Sequence, residues 1–256
     1  MGSIHRINIL GVGISTLTFT QTIDQVAAWI ESRTCQYVSM CTVHTIMECR
    51  RSEQVRQAVN RAGLATPDGM PLVWLSKWKS GLPVNRVYGP DFMLALCERS
   101  AALGYSHYFY GGVDGIPELL ATRLQTRFPG LKIAGAYSPP FRPLTAAEEA
   151  DIIAQINQAG ADIVWVGLGT PKQDVWMAAH RDQLTVPVLI GVGAAFDFHT
   201  GRVPQAPTWM QRNGLEWLFR LWQEPKRLWY RYLVYNPLFI LHILAQTLGL
   251  KHYSME

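Results

Sequence analysis

The sequence contains no Asp-x-Asp pair, and His44, His107, His180 and His199 are scattered rather than clustered. A divalent metal that holds a diphosphate normally draws on such carboxylates. Any diphosphate handled here must therefore be met by lysine, arginine and helix N-termini, and no metal or other cofactor is expected. The four cysteines (Cys35, Cys41, Cys49 and Cys97) form no CxxC pair and read as reduced thiols of a cytosolic protein. No charged-then-apolar signal peptide opens the chain, because the apolar run Ile7–Ile14 is short and broken by glycines. The opening Met-Gly-Ser-Ile-His-Arg puts Arg6 where a myristoylation signal carries Ser or Thr. The dinucleotide fingerprint is missing as well. Gly11-Val12-Gly13 is followed by Thr16 where a third glycine belongs, and Cys41-Thr42 offers no carboxylate for a ribose. A nicotinamide-dependent oxidoreductase is set aside on that ground.

What is present is an apolar chain of 256 residues, 48% hydrophobic and 16% charged. This suits one folded domain, or one domain with a small appendage, and argues against disorder. Short apolar runs at Ile7–Leu10, Tyr37–Cys41, Ser106–Tyr110, Ile133–Tyr137, Ile163–Gly167 and Val188–Gly191 predict strands. Helical spacing marks Thr22–Arg33, Thr45–Arg56, Pro90–Leu103, Gly115–Phe128, Thr145–Ala159 and Pro171–Gln183. Alternation of the two implies an α/β, Rossmann-like parallel sheet covered on both faces. Ligands of such sheets bind at the carboxyl ends of the strands.

Three strand ends run into glycine-rich turns: Tyr110-Gly111-Gly112-Val113-Asp114-Gly115, Gly167-Leu168-Gly169-Thr170-Pro171-Lys172-Gln173, and Gly191-Val192-Gly193-Ala194-Ala195-Phe196-Asp197. Glycines let a backbone approach a phosphate, and the next helix offers free N–H groups and a positive dipole end. Singly, each reads as an ordinary βα turn; three in one sheet favour a nucleotide. In the second, Thr170 is expected to cap the helix, with Lys172 and Gln173 in reach of a ligand. Asp68, in Ala65-Thr66-Pro67-Asp68-Gly69-Met70, reads on its own as a helix cap or Asx-turn residue, with a general base as the alternative. Asp91 sits similarly in the first turn of its helix.

Near Gly201 the character changes. Seven basic residues (Arg202, Arg212, Arg220, Lys226, Arg227, Arg231, Lys251) face three acidic ones from Arg202 onward, so residues 202–256 carry the whole net charge of +4. An anionic partner follows. We divide the chain into a core over 1–201 and a basic, aromatic-rich helical appendage over 202–256, with helices expected at Thr208–Gln223, Pro225–Tyr235 and Leu238–Leu250. Tryptophans and tyrosines interleaved with arginines suit a membrane headgroup region. The last helix rises only about 20 Å, too short for a bilayer core of about 30 Å, so it is expected to lie on a membrane. A tail packed on its own core or in a homo-oligomer is the alternative. The same interleaving suits nucleic acid, but the separate nucleotide loops weigh against that partner.

Together these stretches resemble the WecG/TagA/CpsF glycosyltransferases. The matching segments are Thr66-Pro67-Asp68-Gly69-Met70, Arg86-Val87-Tyr88-Gly89-Pro90-Asp91, Tyr110-Gly111-Gly112, Gly169-Thr170-Pro171-Lys172-Gln173-Asp174, Gly191 to Phe198, Ala206-Pro207, and Gly214 to Leu221 leading to Glu224-Pro225-Lys226-Arg227-Leu228. They keep the family order over roughly residues 5 to 250. The resemblance implies metal-independent, inverting transfer from a UDP-sugar onto a sugar carried by a polyprenyl diphosphate, in bacterial surface polysaccharide synthesis. It implies a site at the inner face of the cytoplasmic membrane. By position, Asp68 is then the general base, Arg86 and Gln173 shape the donor site, and Gly111, Gly112, Gly169 and Lys172 belong to its glycine loops. Arg220, Arg227 and Arg231 are expected to hold the acceptor diphosphate. Two departures bear on the donor. Thr42 stands where the family commonly has Asn, and Met40 where a Thr is frequent, so the donor is either of N-acetylmannosamine type or UDP-glucose. A catalytically silent nucleotide-sugar-binding scaffold is the alternative of a different class.

Overall fold

Runs of β-branched and aromatic residues bounded by glycine and polar residues supply the strands. The computed structural model describes residues 4–255; Met1-Gly2-Ser3, read above for a lipidation signal, and Glu256 lie outside them. The strands are β1 (Arg6–Ile9), β2 (Val12–Ser15), β3 (Gln36–Cys41), β4 (Leu64–Pro67), β5 (Ser106–Gly111), β6 (Lys132–Tyr137), β7 (Ile163–Gly167) and β8 (Val188–Gly191). Six of them form one sheet in the order β4-β3-β8-β7-β5-β6, with every pairing parallel. The chain leaves a gap between β3 and β5 that β7 and β8 fill later.

Side chains of a strand alternate between faces, and β7 shows what each face meets. Ile163 and Trp165 join the core beneath helices Phe19–Glu31, Gly89–Leu103 and Ile116–Arg127. Val164 and Val166 face the opposite core, with Ile152, Ile156, Trp176 and Met177 from helices Ala146–Ala159 and Lys172–His180. The result is an α/β, Rossmann-like sheet covered on both faces, which lets β7 and β8 be apolar along nearly their whole length.

Four expectations are corrected. The run at Ile7–Leu10 is no strand of the sheet. Ile9 pairs with Val12 in an antiparallel hairpin, because Leu10 (φ 52°) and Gly11 (φ 87°) make a two-residue turn with both φ values positive. The Thr45–Arg56 helix breaks at Ser52, which turns extended and accepts the Val55 N–H to start a second helix, Glu53–Arg61. Thr208–Gln223 divides at Gly214 (φ 72°) into Thr208–Arg212 and Glu216–Gln223. Conversely, Pro225–Trp229 continues through a π turn at Tyr230–Val234 into Tyr235–Thr247 without a break. Pro237 lacks an N–H and crowds the carbonyl four residues back, and the wider π turn just before it relieves that conflict.

The hairpin and the last helix share a third core, in which Ile7, Ile9, Val12 and Ile14 pack with Ile46, Leu72, Tyr235 and Phe239. Hydrogen bonds fasten the chain end to it: Asn8 Nδ2 donates to Tyr253 O (2.6 Å), and Asn60 Nδ2 to Met255 O (2.8 Å). Leu241, Leu248 and Leu250 stay exposed on the outside of this segment. No described helix is long and apolar enough to cross a membrane.

Candidate active site

The loops after β3, β4, β5, β7 and β8 open into one cavity of about 1700 Å³, roofed by residues beyond 202. Asp68 directly follows β4, an edge strand where Pro67 forfeits little because its N–H side needs no partner. Its backbone N–H donates to Cys41 O (2.9 Å), which seats the loop on β3. Arg86 grips the same loop. Its Nε donates to Asp68 O, and its Nη2 lies 3.2 Å from Asp68 Oδ1 and 2.7 Å from Glu216 Oε2. The guanidinium lies over the Tyr88 ring, 4.0 Å from its centroid, and Tyr88 OH donates to Glu216 Oε1 (3.3 Å).

This arrangement sets the charge state of Asp68, whose side chain is 17% exposed and lines the cavity. Burial pushes its carboxyl up to about 6; Arg86 pulls it down, while the Glu216 carboxylate pushes it up. A carboxylate of that strength is ionised at neutral pH yet basic enough to take a proton from a hydroxyl. Burial opposes the charge on Arg86, but the two carboxylates outweigh it and hold its proton more firmly than usual.

On the far side of the sheet edge, the glycine loops lock onto one another. An added Cβ on Gly111 (φ 120°) would lie 2.6 Å from the Gly167 carbonyl carbon, so only glycine lets β5 approach β7 there. Gly111 thus serves packing and is not part of the cavity wall, whereas Gly112 is. Gln173 is almost fully buried. Its Oε1 accepts N–H groups from Gly169 (3.1 Å) and Gly193 (3.0 Å), bracing the second and third loops together. Pro171, not Thr170, occupies the cap position of helix Lys172–His180, with no side-chain cap. The Gln173 N–H donates back to Gly169 O (2.9 Å), so the start of this helix offers an anion its positive dipole end more than open N–H groups. Lys172 Nζ stands 5.7 Å from the ring centroid of Phe141, a residue 96% exposed on the rim. Thr42 lines the cavity and also caps helix Val43–Arg51, accepting the Thr45 N–H (3.5 Å).

The third group is basic. Arg220, Arg227 and Arg231 all line the cavity. Among the described residues, only Arg227 of the three has an ion pair, with Glu224 at 2.5 Å. The Nε atoms of Arg220 and Arg231 are buried without a hydrogen-bond partner. Burial depresses the Arg231 guanidinium, and neighbouring Arg220 adds to that repulsion. Beside it, burial and Arg231 drive the His44 imidazole down to about 3, so it stays neutral. Buried cationic groups left without partners are costly unless an anion meets them. Among the described residues, no group of three or more His, Cys, Asp or Glu could hold a metal ion.

A family model described as Glycosyl transferase WecG/TagA/CpsF family matches residues 7–253. The chain belongs to that glycosyltransferase family. It is 28% identical, over 186 residues, to N-acetylglucosaminyldiphosphoundecaprenol N-acetyl-beta-D-mannosaminyltransferase of Bacillus spizizenii, covering 73% of this chain and 70% of that protein. For a family enzyme the cavity provides three chemically distinct stations: a carboxylate at Asp68, a glycine-loop and helix-terminus wall, and an arginine wall. Sequence reasoning missed Glu216. It stood in the quoted Gly214 to Leu221 segment, and its signal was being an acid in a basic stretch. Phe141 was missed too; an aromatic between two prolines of Pro139-Pro140-Phe141-Arg142-Pro143 was its only mark.

Proposed function

We propose that the chain transfers a sugar from a UDP-sugar to a hydroxyl of a sugar carried on a polyprenyl diphosphate, with inversion and without a metal. The observation that carries this reading is the presence of Asp68 and three arginines, two of them unpaired, on the walls of one cavity. The name of the Bacillus relative, with its diphosphoundecaprenol acceptor, supports the same acceptor chemistry.

In this mechanism Asp68 accepts the proton of the acceptor hydroxyl as its oxygen bonds to the anomeric carbon. The bond from that carbon to the UDP phosphate oxygen breaks on the opposite face, and UDP leaves with the electron pair. One in-line displacement inverts the configuration. The negative charge growing on UDP is met by the positive dipole end of helix Lys172–His180 and by Lys172. Arg220, Arg227 and Arg231 hold the acceptor diphosphate so that its sugar reaches Asp68. The enzyme works at the inner face of the cytoplasmic membrane, resting there on the exposed leucines and basic residues of 202–256. The donor is of N-acetylmannosamine type or UDP-glucose.

The test is UDP release with a polyprenyl-diphosphate sugar acceptor, offering each donor separately. Turnover with one donor, lost in Asp68→Asn while UDP still binds, is the expected result. Near-normal turnover by Asp68→Asn removes Asp68 as base. Binding of UDP-sugar without turnover on any such acceptor favours the silent scaffold instead.

A further inference from the structure

The cavity does not end at the arginines. Two helices carry it onward, and both lead away from the charged centre. Helix Met70–Ser80 starts two residues after Asp68 and presents Trp74, Leu75 and Trp78 to the cavity. The run Pro225–Thr247 carries Arg227 and Arg231 near its start and presents Ile240, Ile243 and Leu244 further on. Spacings of three and four residues gather each set on one side of its helix. At 1.5 Å per residue, Trp78 lies about 12 Å along the axis from Met70.

These side chains are poorly covered by the protein. Trp74 and Trp78 are 52% and 65% exposed, and Ile240 and Leu244 are 57% and 52% exposed. Leaving large apolar side chains open forgoes the stabilisation of burying them, and a contiguous patch of this kind marks a binding groove. Leu241 and Leu248 are also exposed, yet they do not line the cavity. Leu241 and Leu248 stand three and four residues from Leu244, so the last helix carries one broad apolar band with one edge in the cavity and the other outside it.

We infer that this inner groove holds the first isoprene units of the acceptor's polyprenyl chain, immediately behind its diphosphate. The inference rests on the acceptor chemistry proposed above. Its warrant is the order of chemistries along two helices that line one cavity: Asp68 just ahead of the helix that carries Trp74 and Trp78, and Arg227 and Arg231 ahead of Ile240 and Leu244. A polyprenyl-diphosphate sugar carries the same order within one molecule: hydroxyl, diphosphate, branched hydrocarbon. Once the arginines hold the diphosphate and the sugar points to Asp68, the exposed apolar residues of these two helices offer the hydrocarbon its cover. Indole rings and branched aliphatic side chains on the walls of one cavity suit a methyl-branched chain. The groove helix is about 20 Å long, so only the first units fit and the remainder stays in lipid.

The test uses the full-length protein in solution without vesicles. Two acceptors share one sugar diphosphate and differ in the tail, a methyl group or three isoprene units. The expected ratio of kcat/KM, prenyl over methyl, is about tenfold or more in the wild type. In Trp78→Ser and, separately, Leu244→Ser, it falls to within about threefold, while Leu241→Ser, outside the cavity, keeps the wild-type ratio. Equal kcat/KM for both tails in the wild type overturns the groove alone. So does a tail preference that survives both groove variants, or one that appears only when anionic vesicles are added, which makes this face a lipid-surface contact. Turnover with neither acceptor, although UDP-sugar binds, overturns the acceptor reading itself and the groove with it.

Discussion

Glu216→Gln should move the acidic limb of the pH–kcat/KM profile downward by about one pH unit. The reason lies in how Arg86 is shared. Asp68 Oδ1 and Glu216 Oε2 lie 3.2 and 2.7 Å from the same Nη2, so the two oxygens are at most about 6 Å apart. At an effective dielectric near 20, two unit charges at that distance repel by about 3 kcal/mol, equivalent to about two pH units. Local rearrangement and water in the cavity reduce that to about one. Removing the Glu216 charge also leaves Arg86 wholly to Asp68, and both effects favour the Asp68 carboxylate. Its carboxyl stands at about 6 in the native protein, and a base works only when deprotonated. The wild-type kcat/KM should therefore fall as pH drops through about 6, and that of Glu216→Gln through about 5. The assay is initial-rate UDP release between pH 4.5 and 8, with circular dichroism confirming the fold of each variant. An unmoved limb in a folded Glu216→Gln protein, or an upward shift, refutes the shared-guanidinium account.

Four further outcomes are expected. Arg231→Ala should reduce kcat/KM for the acceptor by about 10- to 100-fold, the loss of one or two charge-assisted contacts, with little change in donor affinity; a donor defect of equal size would place Arg231 elsewhere in the reaction. Because the proposed mechanism meets the charge on UDP with Lys172 and a helix start, turnover should survive EDTA, and full loss restored by Mg²⁺ would defeat the metal-independent mechanism. Asp174 is buried, neither of its carboxylate oxygens meets a partner of good geometry, and burial lifts it to about 6 although the Ser39 and Thr170 hydroxyls pull it back part-way. A folded-state value above the unfolded one favours the folded protein at low pH, and that advantage is lost as pH rises through about 6. Asp174→Asn should then gain up to about 3 kcal/mol of stability at pH 8 and almost none at pH 4; urea denaturation showing equal gains at both pH values would exclude this. Leu241→Asp with Leu248→Asp should weaken sedimentation with anionic vesicles, and unchanged sedimentation counts against the outer face as a membrane contact. Truncation at 201 is a poorer test, since it strips Tyr235 and Phe239 from the hairpin core.

The sequence was legible where one signal decides one feature. Apolar runs ending in glycine located β5, β7 and β8, because a doubly covered parallel strand needs continuous apolar residues and a sharp exit. It was misleading where two signals compete. Ile7–Leu10 carries a strand pattern, but the positive-φ turn at Leu10-Gly11 folds it back as a hairpin, and leucine is a poor advertisement for such a turn. β4 is four residues long and ends in proline, so the strand that delivers Asp68 is nearly invisible by period. Gln173 showed only as a polar residue beside a glycine loop. That its oxygen would brace Gly169 to the Gly193 loop, itself 20 residues beyond Gln173, follows only from the sheet order. Trp74 and Trp78 lay in a recognisable helical pattern, yet which face they occupy, and what faces them, depends on a helix more than 150 residues later.

Glu216 shows why the segment beyond 202 matters for the chemistry as well as for binding. With that segment absent, Arg86 would belong to Asp68 alone, and an aspartate so paired is held low, a weak base for a sugar hydroxyl. Glu216 divides the guanidinium's attention and adds a like charge, both of which raise Asp68 toward the range a general base needs. Glu216 and Arg220 sit one turn apart on a single short helix, Glu216–Gln223. The contact between Glu216 and Arg86 and the raised Asp68 carboxyl are both present in the protein alone, so this helix tunes Asp68 without the help of any ligand.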